Sequence, residues 1–251
     1  MALPKLSTVT YDLTLPSTGQ KLEYRPFLVK EQKALMIAQE SEDNKQIEKA
    51  FAQIINDCVI DDVDPYTMPM FDIEYIFLRI RGKSVGEKVK LNLLCPDDEE
   101  TRVSVEVNLE EVDVQMQKDH TNTIELSNDI SMIMKYPCLK DMTGFDDEGE
   151  IKNLFEMIKR CVHEVRQGET VYNRVDISDK ELDEFIESMS SSNFEDLTNF
   201  FQTMPKLQHV IDVTNPKTKK KSEVPIEGLQ SFFESPFLII LYLIIIKLTL
   251  Q

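Results

Sequence analysis

Apolar and polar residues alternate at the start of the chain, in "TVTYDLTLPSTGQKLEY". Tyr11, Leu13 and Leu15 recur at every second position, and the same period resumes at Leu22 and Tyr24. The intervening "PSTG" is typical turn chemistry. A period of two places alternate side chains on one face of a strand, so this pattern predicts a β-hairpin.

Helical spacing follows the hairpin. "KEQKALMIAQESEDNKQIEKAFAQIINDCV" has apolar residues at intervals of three and four, interrupted by the polar "ESEDNK", and therefore predicts two consecutive helices. "MFDIEYIFLRIRGKS" predicts a third, with Ile73, Ile76, Phe77 and Ile80 on one face. We expect Gly82 to lie at the end of this helix, because glycine is common there.

Strand periodicity returns in the middle of the chain. "EKVKLNLLC" and "TRVSVEVNL" alternate around the polar "PDDEE", which predicts a hairpin whose Asp97 and Asp98 are turn residues. "NTIELSNDISMIMKYP" continues the pattern and completes an antiparallel unit with one buried face.

The second half of the sequence is predicted to be mainly helical. "NLFEMIKRCVHEVRQ" places Leu154, Met157, Ile158, Cys161, Val162 and Val165 on one helical stripe. Capping-box patterns at Ser178–Glu181 and Ser192–Glu195 predict two further helix starts. "LQHVIDVTNPKTKKKSEVPIEG" predicts a closing hairpin around Asn215 and Pro216, with His209 in a strand.

These elements give an α+β class, with antiparallel β-hairpins and a small sheet segregated from the helices. We expect three regions, namely an N-terminal α+β region over 1–137, a mainly helical region with the closing hairpin over 138–233, and an apolar C-terminal tail over 234–251.

The tail, "SFFESPFLIILYLIIIKLTLQ", is the one strongly apolar stretch in the sequence. Its uninterrupted run, Phe237–Ile246, would span about 15 Å as a helix, roughly half of a hydrocarbon core. This length disfavours a membrane span. The other interpretations are a buried element, a segment covered by a partner, and a sequence read in another frame. Candidate partner-binding residues are Phe232, Phe233, Phe237, Leu238, Ile239, Leu241 and Tyr242.

The net charge of the chain argues against one class of function, nucleic-acid binding. A formal net charge of −17 opposes binding to a phosphate backbone, so we expect no nucleic-acid partner. A local exception is the run of Lys217, Lys219, Lys220 and Lys221, which is either a solvated turn or a docking patch for an acidic partner. Four widely spaced cysteines favour buried, reduced thiols.

No residue pattern predicts catalysis, a cofactor or a metal. "RGKS" at 81–84 resembles the end of a phosphate-binding loop, but Phe77 stands where that loop needs glycine. The cysteines lack the close spacing of zinc ligands. His120, His163 and His209 accompany no nucleophile motif. We therefore expect a protein that is not an enzyme.

Several blocks of sequence resemble one family. "FDIEYIFLRIRGKSVGE", "CPDDEETRVSVEVNLEEV" and "FFQTMPKLQHVIDVTNPKTKKKSEVPIEGLQSFF" are similar to baseplate hub and hub-assembly proteins of T4-like contractile-tailed bacteriophages. The resemblance covers most of residues 3–233 and is weaker over about 140–176. It ends at "LQSFFESPF", so it says nothing of the following tail.

The resemblance implies a late phage protein that acts without catalysis in building the central hub of the tail baseplate. Its implied partners are other baseplate hub proteins. Its implied location is the host cytoplasm during assembly and then the virion tail. Two alternatives are a transient hub-assembly chaperone absent from the virion, and a membrane-associated phage protein anchored by its tail. The sequence leaves the oligomeric state open.

Overall fold

A computed structural model describes residues 7–41, 44–142 and 149–232 of the chain. Within these ranges the chain forms two compact units. Unit one comprises 7–115 and 206–232, and unit two comprises 116–205. This division by contacts differs from the predicted boundary between residues 137 and 138. The helices and antiparallel sheets of the described residues confirm the predicted α+β class.

The described strands and helices alternate in groups along the chain. The strands are β1 (Tyr11–Thr14), β2 (Lys21–Tyr24), β3 (Lys88–Leu94), β4 (Arg102–Asn108), β5 (Asp113–Gln115), β6 (Thr123–Glu125), β7 (Ile130–Met134), β8 (Val162–Gln167), β9 (Thr170–Asn173), β10 (Lys206–Thr214) and β11 (Lys221–Glu227). The helices are α1 (Val29–Ser41), α2 (Asn44–Cys58), α3 (Met70–Val85), α4 (Glu150–Cys161), α5 (Asp179–Glu187) and α6 (Ser191–Thr203).

Unit one contains all three predicted hairpins. Antiparallel pairing joins β1 to β2, β3 to β4, and β10 to β11. Strand β5, which the sequence pattern did not predict, pairs with β10 and extends the closing hairpin to a sheet of order β11-β10-β5. This pairing between distant segments brings the closing hairpin into the unit formed by the N-terminal residues.

The core of unit one forms around α3. Ile73, Ile76 and Ile80 are fully buried, and the ring of Phe77 stacks on Phe51 of α2 with centroids 4.6 Å apart. The predicted apolar face of this helix is therefore confirmed. Burying such side chains stabilises the unit by roughly 1.5–3 kcal/mol for each large residue.

The predicted end of α3 at Gly82 is wrong. The helix continues to Val85, and Gly82 lies inside it. The hydroxyl of Ser84 donates back to the carbonyl of Ile80 and accepts a hydrogen bond from the backbone N–H of Phe27. The chain leaves the helix at Gly86, whose φ of 136° disfavours any residue with a Cβ atom.

Two buried carboxylates hold loops of unit one in place. Asp72, at the start of α3, accepts hydrogen bonds from the backbone N–H and the hydroxyl of Ser17 in the β1–β2 turn. Glu31 of α1 is 2% exposed and forms an ion pair with Arg25 at 2.8 Å. Both carboxylates therefore have partners, as buried charges require.

Unit two is built on a four-stranded antiparallel sheet of order β6-β7-β8-β9. The predicted strands of "NTIELSNDISMIM" correspond to β6 and β7. Strand β6 pairs with β7, and β7 pairs with β8, which follows α4; neither pairs with a strand of unit one. The sheet therefore unites segments on both sides of the predicted boundary.

The predicted helix over 154–165 is too long. Helix α4 ends at Cys161, and the chain continues directly as strand β8. Met157, Ile158 and Cys161 are buried on the helix, as expected, whereas Val162 and Val165 are buried as strand residues. The reason is that "VHEVRQ" also fits a strand, and pairing with β7 decides between the two conformations.

One of the two predicted capping boxes is present. Ser178 caps α5, and its hydroxyl oxygen accepts from the N–H of Glu181 while the Glu181 side chain accepts from the Ser178 N–H. The pattern at Ser192 is wrong, because α6 begins two residues earlier and Ser190 is its cap. The Ser190 hydroxyl accepts from the N–H of Asn193 at 3.1 Å.

Candidate functional site

The candidate partner-binding residues of the C-terminal segment fall on both sides of the described limit. Phe232 ends a 3₁₀ turn, Leu229–Phe232, and its ring is 1% exposed within the core of unit one. The other six candidates lie outside the described residues: Phe233, Phe237, Leu238, Ile239, Leu241 and Tyr242. Their role stays a prediction, and Phe232 is the last of the described residues.

The turn before Phe232 is fixed to unit one by its backbone. Gly228 donates to the carbonyl of Leu207 at 2.8 Å, and the Ser231 hydroxyl donates to the carbonyl of Glu227 at 2.6 Å. Leu229 is fully buried. The described chain therefore ends on an anchored turn beside the closing hairpin.

The basic run lies on the tip of the β10–β11 hairpin. Lys217, Lys219, Lys220 and Lys221 are all exposed. The buried side chain of Asn215 stabilises this tip. Its oxygen accepts a hydrogen bond from the N–H of Lys217 at 2.8 Å. The four ammonium groups are therefore displayed on a turn of defined shape.

The tip of the neighbouring β3–β4 hairpin is joined to this basic tip. Asp97 accepts hydrogen bonds from the side-chain amide of Asn215, at 2.9 Å, and from the hydroxyl of Thr218. Hydrogen bonds from Thr218 and Asn215 lower the pKa of the Asp97 carboxyl. Asp97 is a turn residue, as predicted, but it also connects two hairpins that are far apart in sequence.

Asp98 has a local role in the same tip. It accepts from the backbone N–H and from the hydroxyl of Thr101, at 3.0 and 2.6 Å, and these hydrogen bonds lower its pKa. Both aspartates are therefore ionised at neutral pH. The joined tips therefore place fixed acidic groups beside exposed lysines.

The three hairpin turns of unit one share a geometry. Each begins with a residue followed by proline, and the N–H four residues later donates back to the carbonyl of that first residue. The donor has a positive φ in every case. The pairs are Leu15 with Gly19, Cys95 with Glu99, and Asn215 with Lys219, and φ is 72°, 52° and 64°. Two of these positions therefore carry a charged residue where glycine is favoured.

The cysteines offer no reactive thiolate. Cys58, Cys95, Cys138 and Cys161 are all free and buried, which confirms the predicted buried thiols. Burial raises the pKa of Cys58 to about 12 and that of Cys138 to about 11. A thiol with a raised pKa stays protonated at neutral pH and is a weak nucleophile.

Two histidines lie on strands, and the third packs among aromatic rings in unit two. His163 is exposed on β8 and His209 is partly buried on β10. The ring of His120 stacks on Tyr136 and lies 5.3 Å from Phe200, centroid to centroid. His209 therefore belongs to unit one, and His120 and His163 belong to unit two.

The hydrogen bonds of His120 define its tautomer. The Thr203 hydroxyl donates to the Asn199 carbonyl at 2.8 Å, so its oxygen accepts from Nδ1 of His120 at 2.9 Å. Nε2 is then the unprotonated nitrogen, and it is buried without a hydrogen-bond partner. Burial lowers the pKa of this ring. His120 is therefore a neutral packing residue, a role that the sequence pattern did not indicate.

The "RGKS" segment forms part of α3 and not a loop. Lys83 pairs with Glu87 and, at 2.5 Å, with Glu110. Arg79, one turn earlier, donates to the carbonyls of Leu109 and Val112 at 2.8 Å each. These cations border a groove of about 360 Å³ together with Tyr11 and other residues. Glu87 and Glu110 neutralise Lys83, and the hydrogen bonds of Arg79 hold the connection between β4 and β5 against the helix.

The described residues contain neither a candidate metal site nor a candidate membrane span. Among residues 7–41, 44–142 and 149–232, no cluster of three or more histidine, cysteine or acidic side chains could hold a metal ion. In the same ranges, each helix is too short or too polar to cross a bilayer.

Comparison with known families identifies the chain. A family model described as T4 bacteriophage base plate protein matches residues 8–234. A search of curated proteins gave no match, and a search of solved structures gave none either. The matched stretch includes most of the 251 residues, from the first hairpin to the turn that ends at Phe232. The chain therefore belongs to the T4 bacteriophage base plate protein family.

Proposed function

We propose that this protein is a non-enzymatic structural or assembly component of the central hub of a contractile phage tail baseplate. The observation that carries the proposal is the family match over residues 8–234, which supports a structural role in the baseplate, a place in the virion tail and contact with other baseplate proteins. The hub assignment rests on the resemblance of the sequence blocks to hub and hub-assembly proteins.

The chemistry of the described residues supports a role without catalysis. The cysteine thiols have raised pKa values, and the neutral ring of His120 is packed between aromatic side chains. Lys83 and Arg79 are engaged by groups of their own chain. A catalytic thiol needs access to a substrate and a lowered pKa, and the buried cysteines lack both.

Two segments are proposed to contact hub partners. The first is the apolar stretch of the tail that contains Phe233, Phe237, Leu238, Ile239, Leu241 and Tyr242. Burying the ten residues Phe237–Ile246 would remove about 1,000 Å² of apolar surface from water, which corresponds to about 25 kcal/mol before entropy costs. The second is the lysine tip of the closing hairpin, which suits an acidic partner surface.

The test is complementation of a phage whose gene for this protein is disrupted. The full chain should restore normal baseplates and infectious particles in the host cytoplasm. A chain that ends after Glu234 keeps Phe232 and the packed core, so it should fold but fail to assemble hubs. Normal tails in the disrupted phage would contradict the proposed function. Rescue by the truncated chain would contradict only the partner role of the tail.

The proposed lack of catalysis has its own test in the same assay. Replacing His163 and His209 with glutamine removes the two histidines that lie outside the aromatic cluster, and it should leave plaque yield unchanged. Loss of assembly by a normally folded double variant would contradict a non-enzymatic role.

A further inference from the structure

Strand β9 forms the outer edge of the sheet in unit two. All four of its residues are exposed, including Val171 at 46% and Tyr172 at 45%. Thr170–Asn173 contains no charged residue and no proline, which are the usual devices that protect an outer strand from pairing. Within the described residues, no other strand pairs with its outer side.

The opposite edge of the same sheet is covered. Strand β6 packs against α6, and the side-chain amide of Asn193 donates to the carbonyl of Leu126 at 3.0 Å. Ile124 in the centre of β6 is only 5% exposed. The chain therefore protects one edge of this sheet with a helix and leaves the other accessible.

A row of apolar side chains crosses the sheet and ends at β9. Ile124 lies opposite Met132, Met132 opposite Val165, and Val165 opposite Tyr172. Residues that are paired across a ladder share one face of the sheet. The first three are at most 7% exposed, whereas Tyr172 is 45% exposed. One further strand beside β9 would complete the burial of this row.

The backbone of β9 is oriented for pairing. Gln167 and Thr170 close a two-residue turn at Gly168, whose φ is 56°. The closing pair of such a turn is hydrogen-bonded, and the bonding direction then alternates along the strand. The N–H and C=O groups of Val171 and Asn173 therefore point away from β8, toward the open edge.

The end of this edge is fixed by Arg174. Its guanidinium donates to the carbonyl of Ile177 at 2.8 Å and pairs with Asp179. These contacts turn the chain away directly after Asn173. The exposed edge is therefore a short strand that is already ordered before binding. Pairing with a partner strand should consequently cost little conformational entropy.

We propose that β9 pairs antiparallel with β9 of a second copy of this chain, about a two-fold axis at Val171. This register joins the outward backbone groups of Val171 in both copies. It places Thr170 opposite the partner's Tyr172, which would cover the end of the apolar row, and Glu169 opposite the partner's Asn173. No like charges face each other, and the edge is complementary to itself, as a two-fold interface requires.

The resulting dimer is expected to be weak and concentration-dependent. A pair of four-residue strands buries less surface than the roughly 1,200–2,000 Å² of a standard stable interface. Two charged residues, Glu169 and Arg174, flank the strand, and Arg174 pairs with Asp179 of its own chain. This inference does not depend on the hub assignment.

The test uses full-length chains in sedimentation velocity over a concentration series. Val171→Lys and Val171→Glu should each weaken dimerisation at least tenfold, because two like charges meet at the axis. An equimolar mixture of the two variants should dimerise again, since lysine then faces glutamate. Val210→Lys is the matched control, because Val210 is an exposed valine on a strand of unit one, and it should dimerise like the wild type.

A covalent trap tests the same register. Opposed residues of a hydrogen-bonded antiparallel pair lie about 5.5 Å apart at Cα, which a disulfide can span. All four native cysteines are buried, so Val171→Cys should form a disulfide-linked dimer under mild oxidation. Val210→Cys should not.

Several results would overturn the proposal. These are a wild type that stays monomeric at every concentration, association that Val171→Lys leaves unchanged, and a mixture of the charge variants that does not recover. The second result would point to association through another surface, and the third to a register that is not centred on Val171.

Discussion

Strands β11 and β9 both end a sheet, but their exposed residues differ in kind. In β11 the exposed positions are Lys221, Glu223 and Pro225. Charges on an outer strand repel an incoming strand, and proline removes a backbone donor. In β9 the exposed positions are Thr170–Asn173, without charge or proline. The same structural position is therefore protected in unit one and left able to pair in unit two.

The two units also differ in their buried polar groups. Unit one buries the ion pair of Glu31 and Arg25. Burial alone would raise the pKa of the Glu31 carboxyl. Hydrogen bonds from Arg25, Lys30 and the Leu28 N–H have the larger effect and lower this pKa to about 2. Unit two buries the neutral ring of His120, with one nitrogen unpartnered. Glu31 therefore keeps its charge at neutral pH, whereas the ring of His120 stays neutral.

Breaking the ion pair should have the largest effect on stability. Arg25→Met leaves the Glu31 carboxylate buried with less compensation, and we expect the free energy of unfolding to fall by about 3 kcal/mol. Lys30→Met is the control, because Lys30 is 63% exposed and its loss should have a much smaller effect on stability. Urea denaturation followed by circular dichroism measures both. Equal losses would show that Arg25 is not the principal partner.

Replacing the proline and one charged residue of β11 should make its outer edge able to pair, as the edge of β9 is. Pro225→Val combined with Glu223→Thr supplies a backbone donor and removes a charge at the outer edge. We expect new association, roughly tenfold stronger than that of the wild type, in the same sedimentation experiment. Glu223→Thr alone, which changes the charge equally but keeps the proline, should associate much less. No difference between the two variants would mean that Pro225 has no protective role.

Acid should weaken the two units in different pH ranges. The pKa of His120 is lowered by burial in the folded state, so the unfolded chain takes up this proton first and unit two loses stability as the pH falls below about 6.5. The ionised Glu31 side chain affects the stability of unit one only at lower pH, because its pKa is lowered. Its contribution is complete above about 4.5 and is lost as the pH falls toward about 2.

Hydrogen exchange measured by mass spectrometry can separate these ranges. Between about pH 7 and about pH 5, protection corrected for intrinsic rates should fall around residues 120–136 and hold around residues 25–31. His120→Phe keeps an aromatic ring but removes the titrating group, and it should abolish the change in unit two. A fall of equal size in both units would contradict the assignment.

The smallest predicted effect concerns the lysine tip. Lys219 has a positive φ of 64°, so Lys219→Gly should raise the free energy of unfolding by about 0.5–1 kcal/mol. Gly19→Ala, at the matching position of the first hairpin, should lower it by a similar amount. If the tip docks on an acidic partner, Lys219→Gly should weaken assembly although it stabilises the fold. A stability change of the opposite sign would disprove the turn argument.

Local patterns predicted most elements of the fold. The hairpins, the apolar face of α3 and the cap at Ser178 follow from residues that are close in sequence, which is why their spacing revealed them. The end of α4 was missed because Val162 and Val165 fit a helix and a strand equally well. Only pairing with β7, across a gap of about thirty residues, distinguishes the two.

Contacts between distant segments account for the other differences. The predicted boundary at 137 and 138 separates β7 from β8, yet these strands pair directly. Asp97 looked like an ordinary turn residue because its partners, Asn215 and Thr218, lie more than a hundred positions away. The exposed edge at β9 likewise depends on the order of strands in the sheet, and no single stretch of sequence contains that order.

Quantitative mass spectrometry of purified phage particles and of isolated baseplates tests the proposed hub role most directly. We expect the chain to be present in both samples, in a fixed ratio to the other baseplate proteins and enriched in the isolated baseplates. Absence from particles whose baseplates are otherwise complete would contradict a structural place in the hub, and would leave a transient role in its assembly.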